Sequence, residues 1–559
     1  MSLRPQKIVL VAYLLMICCL MAACSGDSNS DPLAAYKNQV LQWQTCPQNV
    51  RDYFGEKVGE LDKLGERATF ALMRVPLDYN NPARGDLQIA LLRVSAEDPA
   101  NRLGAILFNP GGPGADGLNL SVILGSLWTD ADTADPVKSL YKEMSRRYDL
   151  IGFSPRGTGF STNLSCPSDE MFRFEATIAV DLSERNINNI LYNSRLIAEN
   201  CRKNPQTPYM NSETTARDMD LVRHLLGDSK LNYMGFSYGT WLGTWYAGLY
   251  PYRVGRMLLI GTANITVPLN DVLLQQGMGQ QRVLDQVLVP YAARHNDRFS
   301  LGGTEEEVKQ SYLSLKTMPG HLLAATSKLL PISKSQEADI TLLYLRTAEM
   351  MQEFITANPD ADQAAVETWI NTAQFVPDAT LNQQARAGAL KIAGLYFPKV
   401  RHETKTAALN GEDALQWAVM CNDSGSSFGA DEWIEANKNS VASYPFYGGF
   451  WVQNACLYWD APTVRRPAVE RVASAGPILM LQSELDPWTT LEGADTTFAY
   501  LPNTRMILIQ NEYSHSLVPP YGQECVDRPV AEYFLYGTIP PERLTRCAGN
   551  SLPADAAEN

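Results

Sequence analysis

Short apolar runs that end in turn residues recur in two parts of the chain and predict a β-sheet. Between several of them, apolar residues recur at helical spacing, as Met219, Val222 and Leu226 do over 214–226. Strands that alternate with helices predict an α/β fold with a mostly parallel, doubly wound sheet. The predicted strands are 87–94, 105–108, 148–153, 231–234, 257–260, 478–481 and 506–509.

The interval 264–475 breaks this rhythm, because it contains helical runs such as 271–289 and 341–356 but few convincing strands. We interpret it as an inserted helical cap. The sheet pattern resumes at Gly476, and we find no internal repeat. The sequence therefore predicts one discontinuous core domain, made of 41–263 and 476–559.

The first 23 residues have the layout of a secretory signal peptide, with Arg4 and Lys7 before an apolar run over 8–20. This run is short for a transmembrane helix, which needs about 20 apolar residues. Small residues before Cys24 resemble the bacterial lipobox, which predicts lipidation of Cys24. Polar residues then predict a tether over 24–40. We expect a lipoprotein of the cell envelope, held to the membrane by this anchor; full secretion is the alternative.

The net charge and the cysteines indicate which partners, compartment and metal sites to expect. Loss of Arg4 and Lys7 with the leader changes the formal net charge of −14 to about −16, which excludes nucleic acid as an expected partner. In an oxidising compartment, sequence neighbours suggest the disulfides 166–201, 421–456 and 525–547, with Cys46 unpaired, although other pairings stay open. Neither CxxC nor HExxH occurs, so we expect no metal site.

The strongest chemical signal is the GxSxG sequence at 235–239, which follows a predicted strand and precedes a helix-compatible run over 240–249. In this context, a sharp turn exposes the serine hydroxyl at the end of the strand. Glycines at the flanking positions avoid collisions with neighbouring elements. The sequence therefore predicts Ser237 as a nucleophile.

A serine nucleophile needs a base, and the chain order serine, acid, histidine indicates His515, which follows the last predicted strand. Asp486 follows the strand before it and is the candidate acid that orients the histidine. Glu484 is its rival, and Asp486 could instead only open the turn at Pro487. Structural roles are expected for the remaining histidines, which are His224, His295, His321 and His402.

A glycine-rich loop over 109–114 follows the strand 105–108 and predicts an oxyanion hole. Its donors would be a backbone N–H near Gly112 and that of Tyr238, the residue after the nucleophile. The same loop begins a GxGxxG sequence that could bind a dinucleotide. We discount this alternative because Asp116 would oppose a pyrophosphate, and no strand ends in an acid about 20 residues later. No cofactor is expected.

These blocks resemble the tripeptidyl aminopeptidase and prolyl iminopeptidase branch of the α/β-hydrolases, over roughly 40–550. The blocks that agree, in the family's order, are 75–79 (VPLDY), 109–114 (NPGGPG), 155–159 (PRGTG), 235–239 (GFSYG) and 482–487 (QSELDP). The resemblance implies an α/β-hydrolase fold, Ser237, Asp486 and His515 as nucleophile, acid and base, and a cap that shapes the substrate site. Departures from the family occur at Ser154, Gly261-Thr262 and Ser514 and concern substrate preference.

Three functions follow as hypotheses. The first is an exported exopeptidase that releases residues or short peptides from the N-terminus of peptides; Asp423, in a family-like block, would then bind the substrate's ammonium group, although a solvated loop aspartate is an equal alternative. The second is an esterase or amidase that uses the same residues on small acyl compounds. The third is a surface lipoprotein that only binds, against which the intact set of candidate residues argues.

Overall fold

The computed structural model describes residues 31–315, 332–400, 404–449, 452–515 and 517–558. The predicted signal peptide, Cys24, His321 and His402 lie outside these ranges. Within them, no helix combines the length and the apolar character that a membrane span requires.

A ten-stranded sheet forms the centre of the molecule. Each predicted strand is confirmed, usually extended by one to three residues, and strands at the sheet's outer parts were missed. In chain order, β1 to β10 are Gln44–Thr45, Ala68–Pro76, Asp86–Val94, Gly104–Asn109, Tyr148–Phe153, Leu231–Phe236, Val254–Ile260, Ile478–Ser483, Thr504–Gln510 and Leu544–Ala548.

The strands lie in the order β1-β2-β3-β5-β4-β6-β7-β8-β9-β10. The pairs β1–β2, β2–β3 and β3–β5 are antiparallel, and every later pair is parallel. The mostly parallel sheet predicted from the sequence is therefore confirmed. The strand β10 was missed because only one of its residues, Cys547, is buried, so that it lacks a buried apolar run.

Successive strand residues face opposite sides of the sheet and enter two separate hydrophobic clusters. In β4, Leu107 belongs to one cluster and Ile106 and Phe108 to the other. Helices cover both faces, as a doubly wound sheet requires. The helices over these faces and at the amino-terminal edge are Gln48–Phe54, Val58–Leu64, Leu118–Thr129, Lys138–Arg147, Glu184–Arg202, Ser212–Leu225, Tyr238–Leu249, Val469–Ala473, Leu491–Tyr500 and Glu524–Tyr536.

Between β7 and β8, the described chain is mainly helical, and many of its apolar side chains form a third cluster apart from the sheet. Because β7 and β8 are hydrogen-bonded neighbours, the chain returns to the sheet where it left it. The limits 264–475 of the predicted cap stay a prediction. Its helices include Leu273–Val283, Val289–Arg294, Glu305–Ser314, Ala338–Ala357, Gln363–Thr372, Ala379–Val400, Glu412–Asp423 and Ala430–Ser443.

The predicted tether is too long at its carboxyl end. Residues Ala34–Lys37 form a helix, and Tyr36 is buried against the sheet with its hydroxyl bonded to the Asp86 carboxylate. A buried aromatic side chain stabilises the docked segment. The folded domain therefore begins inside the range 24–40 that we assigned to the tether.

The cysteine pairs suggested by sequence proximity are confirmed. Disulfides join Cys166 to Cys201, Cys421 to Cys456 and Cys525 to Cys547. Cys46 is buried and unpaired among the described residues. Three disulfides indicate an oxidising, extracytoplasmic compartment for the folded chain.

Candidate active site

Ser237 occupies a sharp turn between β6 and the helix Tyr238–Leu249. Its backbone has φ 55° and ψ −123°, a conformation that residues other than glycine rarely adopt without strong local constraint. The Ser237 N–H donates to the carbonyl of Ile260 on β7 at 2.9 Å. The turn is thus fixed to the neighbouring strand, and the Ser237 side chain remains partly exposed.

Close packing explains the glycine that begins this turn. A Cβ at Gly235 would lie 2.4 Å from the carbonyl oxygen of Gly239 and 2.6 Å from the Tyr233 ring. No side chain fits such a gap, so residue 235 must be glycine for the strand to meet the helix at this angle.

His515 and Asp486 lie together on the turns after β9 and β8. The His515 Nδ1 atom is 2.9 Å and 3.0 Å from the two carboxylate oxygens of Asp486, and Asp486 is completely buried. This geometry lets Nδ1–H donate to the carboxylate. In the neutral ring, Nε2 is then the nitrogen that can accept a proton. The rival Glu484 instead accepts the backbone N–H of Asn511 and makes no such contact.

Thr489 is a member of this site that the sequence analysis missed. Its N–H donates to Asp486 Oδ1 at 2.9 Å, its hydroxyl donates to Oδ2 at 3.1 Å, and the same hydroxyl lies 3.3 Å from His515 Nδ1. Thr489 therefore helps to orient the carboxylate and the imidazole. The turn D-P-x-T was visible in the sequence, but nothing in its pattern distinguished this hydroxyl from an ordinary turn residue.

The loop 511–515, called the histidine loop because it carries His515, is anchored on both sides. The buried carboxylate of Glu512 accepts the N–H groups of Tyr513 and Ser514 at 2.8 Å each. From the helical interval, Ser333 accepts the His515 N–H at 2.9 Å, and the Ser335 N–H donates to the Ser514 hydroxyl at 2.9 Å. The serine at 514, a departure from the family, thus joins the loop to the interval.

The glycine loop after β4 lies against the turn at Ser237. A Cβ at Gly111 would approach the Ser237 Cβ to 2.9 Å and the Tyr238 nitrogen to 3.2 Å, so only glycine permits this contact. Gly112 and Tyr238 both line the cavity that contains Ser237. Tyr238 is the first residue of its helix, where N–H groups have no intrahelical acceptor. The residues of both predicted donors thus line the same cavity as Ser237.

A cavity of about 310 Å³ contains Ser237, His515 and Thr489. The helical interval supplies much of the remaining lining through Leu269, Leu273, Gln276, Gln416 and Met420. The wall is largely apolar, with two amides. Among the described residues that line it there is no carboxylate, so the cavity itself offers no partner for an ammonium group.

Asp423 does not line this cavity, contrary to the substrate-binding role that we considered for it. It is 3% exposed, and its oxygens accept hydrogen bonds from Ser212 and Trp241. It is not a solvated loop aspartate either, because it ends the helix Glu412–Asp423 inside the protein. Burial raises the pKa of Asp423 to about 6.

The remaining histidines that the structure describes lie elsewhere. His224 is exposed on its helix, and His295 is buried with Nε2 2.8 Å from the Asp555 carboxylate. Within the described ranges, no group of three His, Cys, Asp and Glu side chains has the arrangement of a metal site.

With this sheet topology and the similarities given next, the protein is a serine hydrolase of the α/β-hydrolase fold. The family model described as "alpha/beta hydrolase fold" matches residues 104–329, and the model described as "TAP-like protein" matches residues 444–547. The chain therefore combines an α/β-hydrolase core with a TAP-like carboxyl-terminal region.

Its relatives include peptidases and an esterase. The chain is 27% identical to the tripeptidyl aminopeptidase of Streptomyces coelicolor, over 86% of this chain and 83% of that protein. It is 25% identical to the serine protease Hip1 of Mycobacterium tuberculosis, over 90% of each chain. It is also 27% identical to carboxylesterase B of Mycobacterium tuberculosis, over 94% of this chain and 92% of that protein.

Proposed function

We propose that the protein is an exported serine exopeptidase that releases short N-terminal peptides or single residues through an acyl-enzyme on Ser237. The observation that carries this proposal is that Ser237 and His515 line one cavity and that His515 is bonded to the buried Asp486, each residue lying on a turn after a parallel strand. The geometry matches the roles of nucleophile, base and acid.

In the proposed mechanism, the Ser237 hydroxyl attacks the scissile carbonyl carbon while His515 Nε2 takes its proton. Asp486 accepts Nδ1–H, holds the ring tautomer and stabilises the imidazolium that forms. The backbone N–H groups near Gly112 and of Tyr238 stabilise the negative oxygen. His515 then protonates the leaving amine, and water activated by His515 releases the acyl group from Ser237.

A second cavity supports a peptide as the substrate. It measures about 350 Å³ and shares Gln416 with the cavity of Ser237. Side chains of both charge signs line it, with Asp413 one helical turn before Gln416 on the same helix and Arg173 and Lys405 on other segments. A polar chain with charged ends suits such a lining better than a small acyl compound does. We propose that Asp413 contacts the substrate's ammonium group.

An esterase or amidase is the second candidate. The apolar wall of the Ser237 cavity and the similarity to a carboxylesterase favour it. The same residues would act on a small ester without the second cavity. A lipoprotein that only binds ligands is the weaker proposal, because the candidate nucleophile, base, acid and glycine loop are all present.

The proposed location is the cell envelope. The disulfides support export, and we propose that cleavage before Cys24 and lipidation of this residue attach the protein to the membrane. Secretion without an anchor is the alternative. Mass measurement of the native mature N-terminus tests the two, since a diacylated Cys24 adds the mass of the lipid.

A substrate panel tests the proposed activity. The mature protein and its Ser237→Ala variant are assayed with p-nitroanilides of one to four residues, each with a free or an acetylated N-terminus, and with p-nitrophenyl acetate. Exopeptidase activity predicts turnover of the free-amine peptides and loss of it on acetylation. Turnover of the ester alone would select the esterase, and a folded protein inactive on the whole panel would support the binding lipoprotein.

A further inference from the structure

Asp423 is a buried carboxylate that the proposed mechanism does not use. Its Oδ1 accepts the Ser212 N–H at 2.8 Å. Its Oδ2 accepts the Ser212 hydroxyl at 2.5 Å and the Trp241 Nε1–H at 2.9 Å. Ser212 and Trp241 are completely buried, so these hydrogen bonds form away from water, where an unpaired carboxylate would be costly.

The same serine connects the carboxylate to Tyr238. The Ser212 Oγ atom lies 2.7 Å from the Tyr238 hydroxyl oxygen. An ionised carboxylate only accepts, so the single Ser212 proton points to Asp423, and the Tyr238 O–H donates to Ser212. Tyr238, Ser212 and Asp423 thus form a directed chain of hydrogen bonds. Charge at its end strengthens each member of the chain.

Tyr238 is also the residue after the nucleophile. Its backbone nitrogen lies at the turn against which Gly111 packs, while its side chain is buried and ends at Ser212. A residue held at both its backbone and its side-chain end has little freedom to rotate its peptide group. Small errors in the direction of an oxyanion donor reduce transition-state stabilisation strongly.

We propose that Asp423 is a positioning residue that acts through Ser212 and Tyr238 to fix the oxyanion donor beside Ser237. This inference rests on the proposed function, because it needs Tyr238 N–H to stabilise the reacting oxygen. It replaces the role of an ammonium ligand that the sequence suggested for Asp423.

The helix that ends at Asp423 is held firmly enough for this role. Asn422 donates from Nδ2 to the carbonyls of Thr207 and Met210 at 2.7 and 3.0 Å, and Cys421 is bonded to Cys456. The same helix faces the Ser237 cavity through Gln416 and Met420. One helix therefore contributes both to the substrate wall and to the support of the oxyanion donor.

Steady-state kinetics on two substrates test the proposal. We would compare Asp423→Asn, Ser212→Ala and Tyr238→Phe on a free-amine tripeptide p-nitroanilide and on p-nitrophenyl acetate, which has no amine. Loss of one oxyanion donor costs about 10²- to 10³-fold in kcat, so a displaced donor should cost roughly tenfold or more. We expect this fall in kcat on both substrates, with KM changed by less than about twofold.

The chain of contacts also predicts that the variants are not additive. Ser212→Ala should cost little more in the Tyr238→Phe background than Tyr238→Phe costs alone, because both remove the same link. Ser212→Thr retains the hydroxyl and should restore most of the kcat lost in Ser212→Ala. Asp431→Asn, an exposed change on the helix Ala430–Ser443, is the matched control and should leave both parameters unchanged.

Two results would overturn the inference. If Asp423→Asn raised KM for the free-amine peptide and left the ester unaffected, Asp423 would bind the substrate. If kcat were unchanged on both substrates in a folded variant, Asp423 would be only structural. Tyr238→Phe, which removes one oxygen, decides the question if Asp423→Asn fails to fold. A wild-type protein inactive on both substrates would instead refute the proposed function. Results with the variants test only the role of Asp423.

Discussion

The strand-end turns and the helical interval both line the Ser237 cavity, but their residues are held in place in different ways. Ser237, Asp486 and His515 follow β6, β8 and β9, strands close together in the sheet, and backbone hydrogen bonds fix their turns. The interval contributes side chains such as Gln416 and Met420 from a helix that long-range contacts and a disulfide hold.

Because of this difference, the turns determine the catalytic chemistry and the interval determines the choice of substrate. A parallel sheet brings the ends of its strands to one edge whatever the sequence of the inserted region, so the reacting groups keep their geometry. The interval can change the side chains that line the cavity without moving these turns, whereas its buried Asp423 supports the turn at Tyr238. Substitutions in the turns should therefore affect every substrate alike, and substitutions on the interval's exposed cavity walls should affect some substrates more than others.

The largest expected effect is that of Asp486→Asn. The asparagine cannot hold the His515 tautomer or stabilise its charge, so kcat should fall about 10⁴-fold on peptide and ester alike. Glu484→Gln, two residues away and bonded to Asn511, is the matched control and should cost less than threefold. A fall in kcat on the peptide alone would contradict the proposal that the turns act on every substrate alike.

Removal of the disulfide between Cys421 and Cys456 should destabilise the interval's inner helix. The bridge closes a separation of 35 residues, for which loss of chain entropy in the unfolded state predicts about 3–4 kcal/mol. Urea unfolding of the Cys421→Ser/Cys456→Ser variant, followed by tryptophan fluorescence, measures this change. Because the helix supports Tyr238, kcat on the ester should fall as well, and an unchanged kcat would contradict that support.

Asp423 predicts a pH-dependent difference in stability. Burial raises the pKa of Asp423 to about 6, although hydrogen bonds from Ser212 and Trp241 oppose this shift. The native state therefore keeps this proton in a pH range where the unfolded chain has lost it. Native stability should therefore fall as the pH rises from about 4 to 6, by about 3 kcal/mol from this group. Asp423→Asn should remove that slope in unfolding free energies measured across the window. An identical slope in both proteins would contradict the assignment.

The smallest effect is expected at the second cavity. Asp413 is exposed and lines it, so Asp413→Lys should raise KM for free-amine peptides several-fold, roughly 1 kcal/mol of binding. The ester should be unaffected, because it does not reach this cavity. Asp431→Lys provides a control for the added charge. Equal changes in KM for peptide and ester would contradict a separate peptide-binding role of the second cavity.

The sequence predicted those parts of the protein that depend on local pattern. Strand order placed the candidates Ser237, Asp486 and His515 at one edge of the sheet, and sequence proximity indicated the cysteine pairs. Short apolar runs and the order of the candidates along the chain were sufficient to predict where these three residues lie.

Long-range contacts escaped the sequence analysis. Thr489 and Glu512 look like ordinary turn residues until the fold brings Asp486 and the histidine loop to them. The carboxylate of Asp423 meets Ser212 across 211 positions of sequence, and no periodicity records such a contact. The role of an isolated acid therefore could not be assigned before its neighbours were known.

The most direct test of the central claim is covalent labelling with a fluorophosphonate, followed by mass spectrometry of the disulfide-intact protein and of its peptides. The account predicts one adduct per chain, located on Ser237, and no adduct in Ser237→Ala at equal folding. His515→Ala should slow labelling strongly. An adduct on another residue, or a folded wild-type protein that is not labelled, would contradict the assignment of Ser237 as the nucleophile.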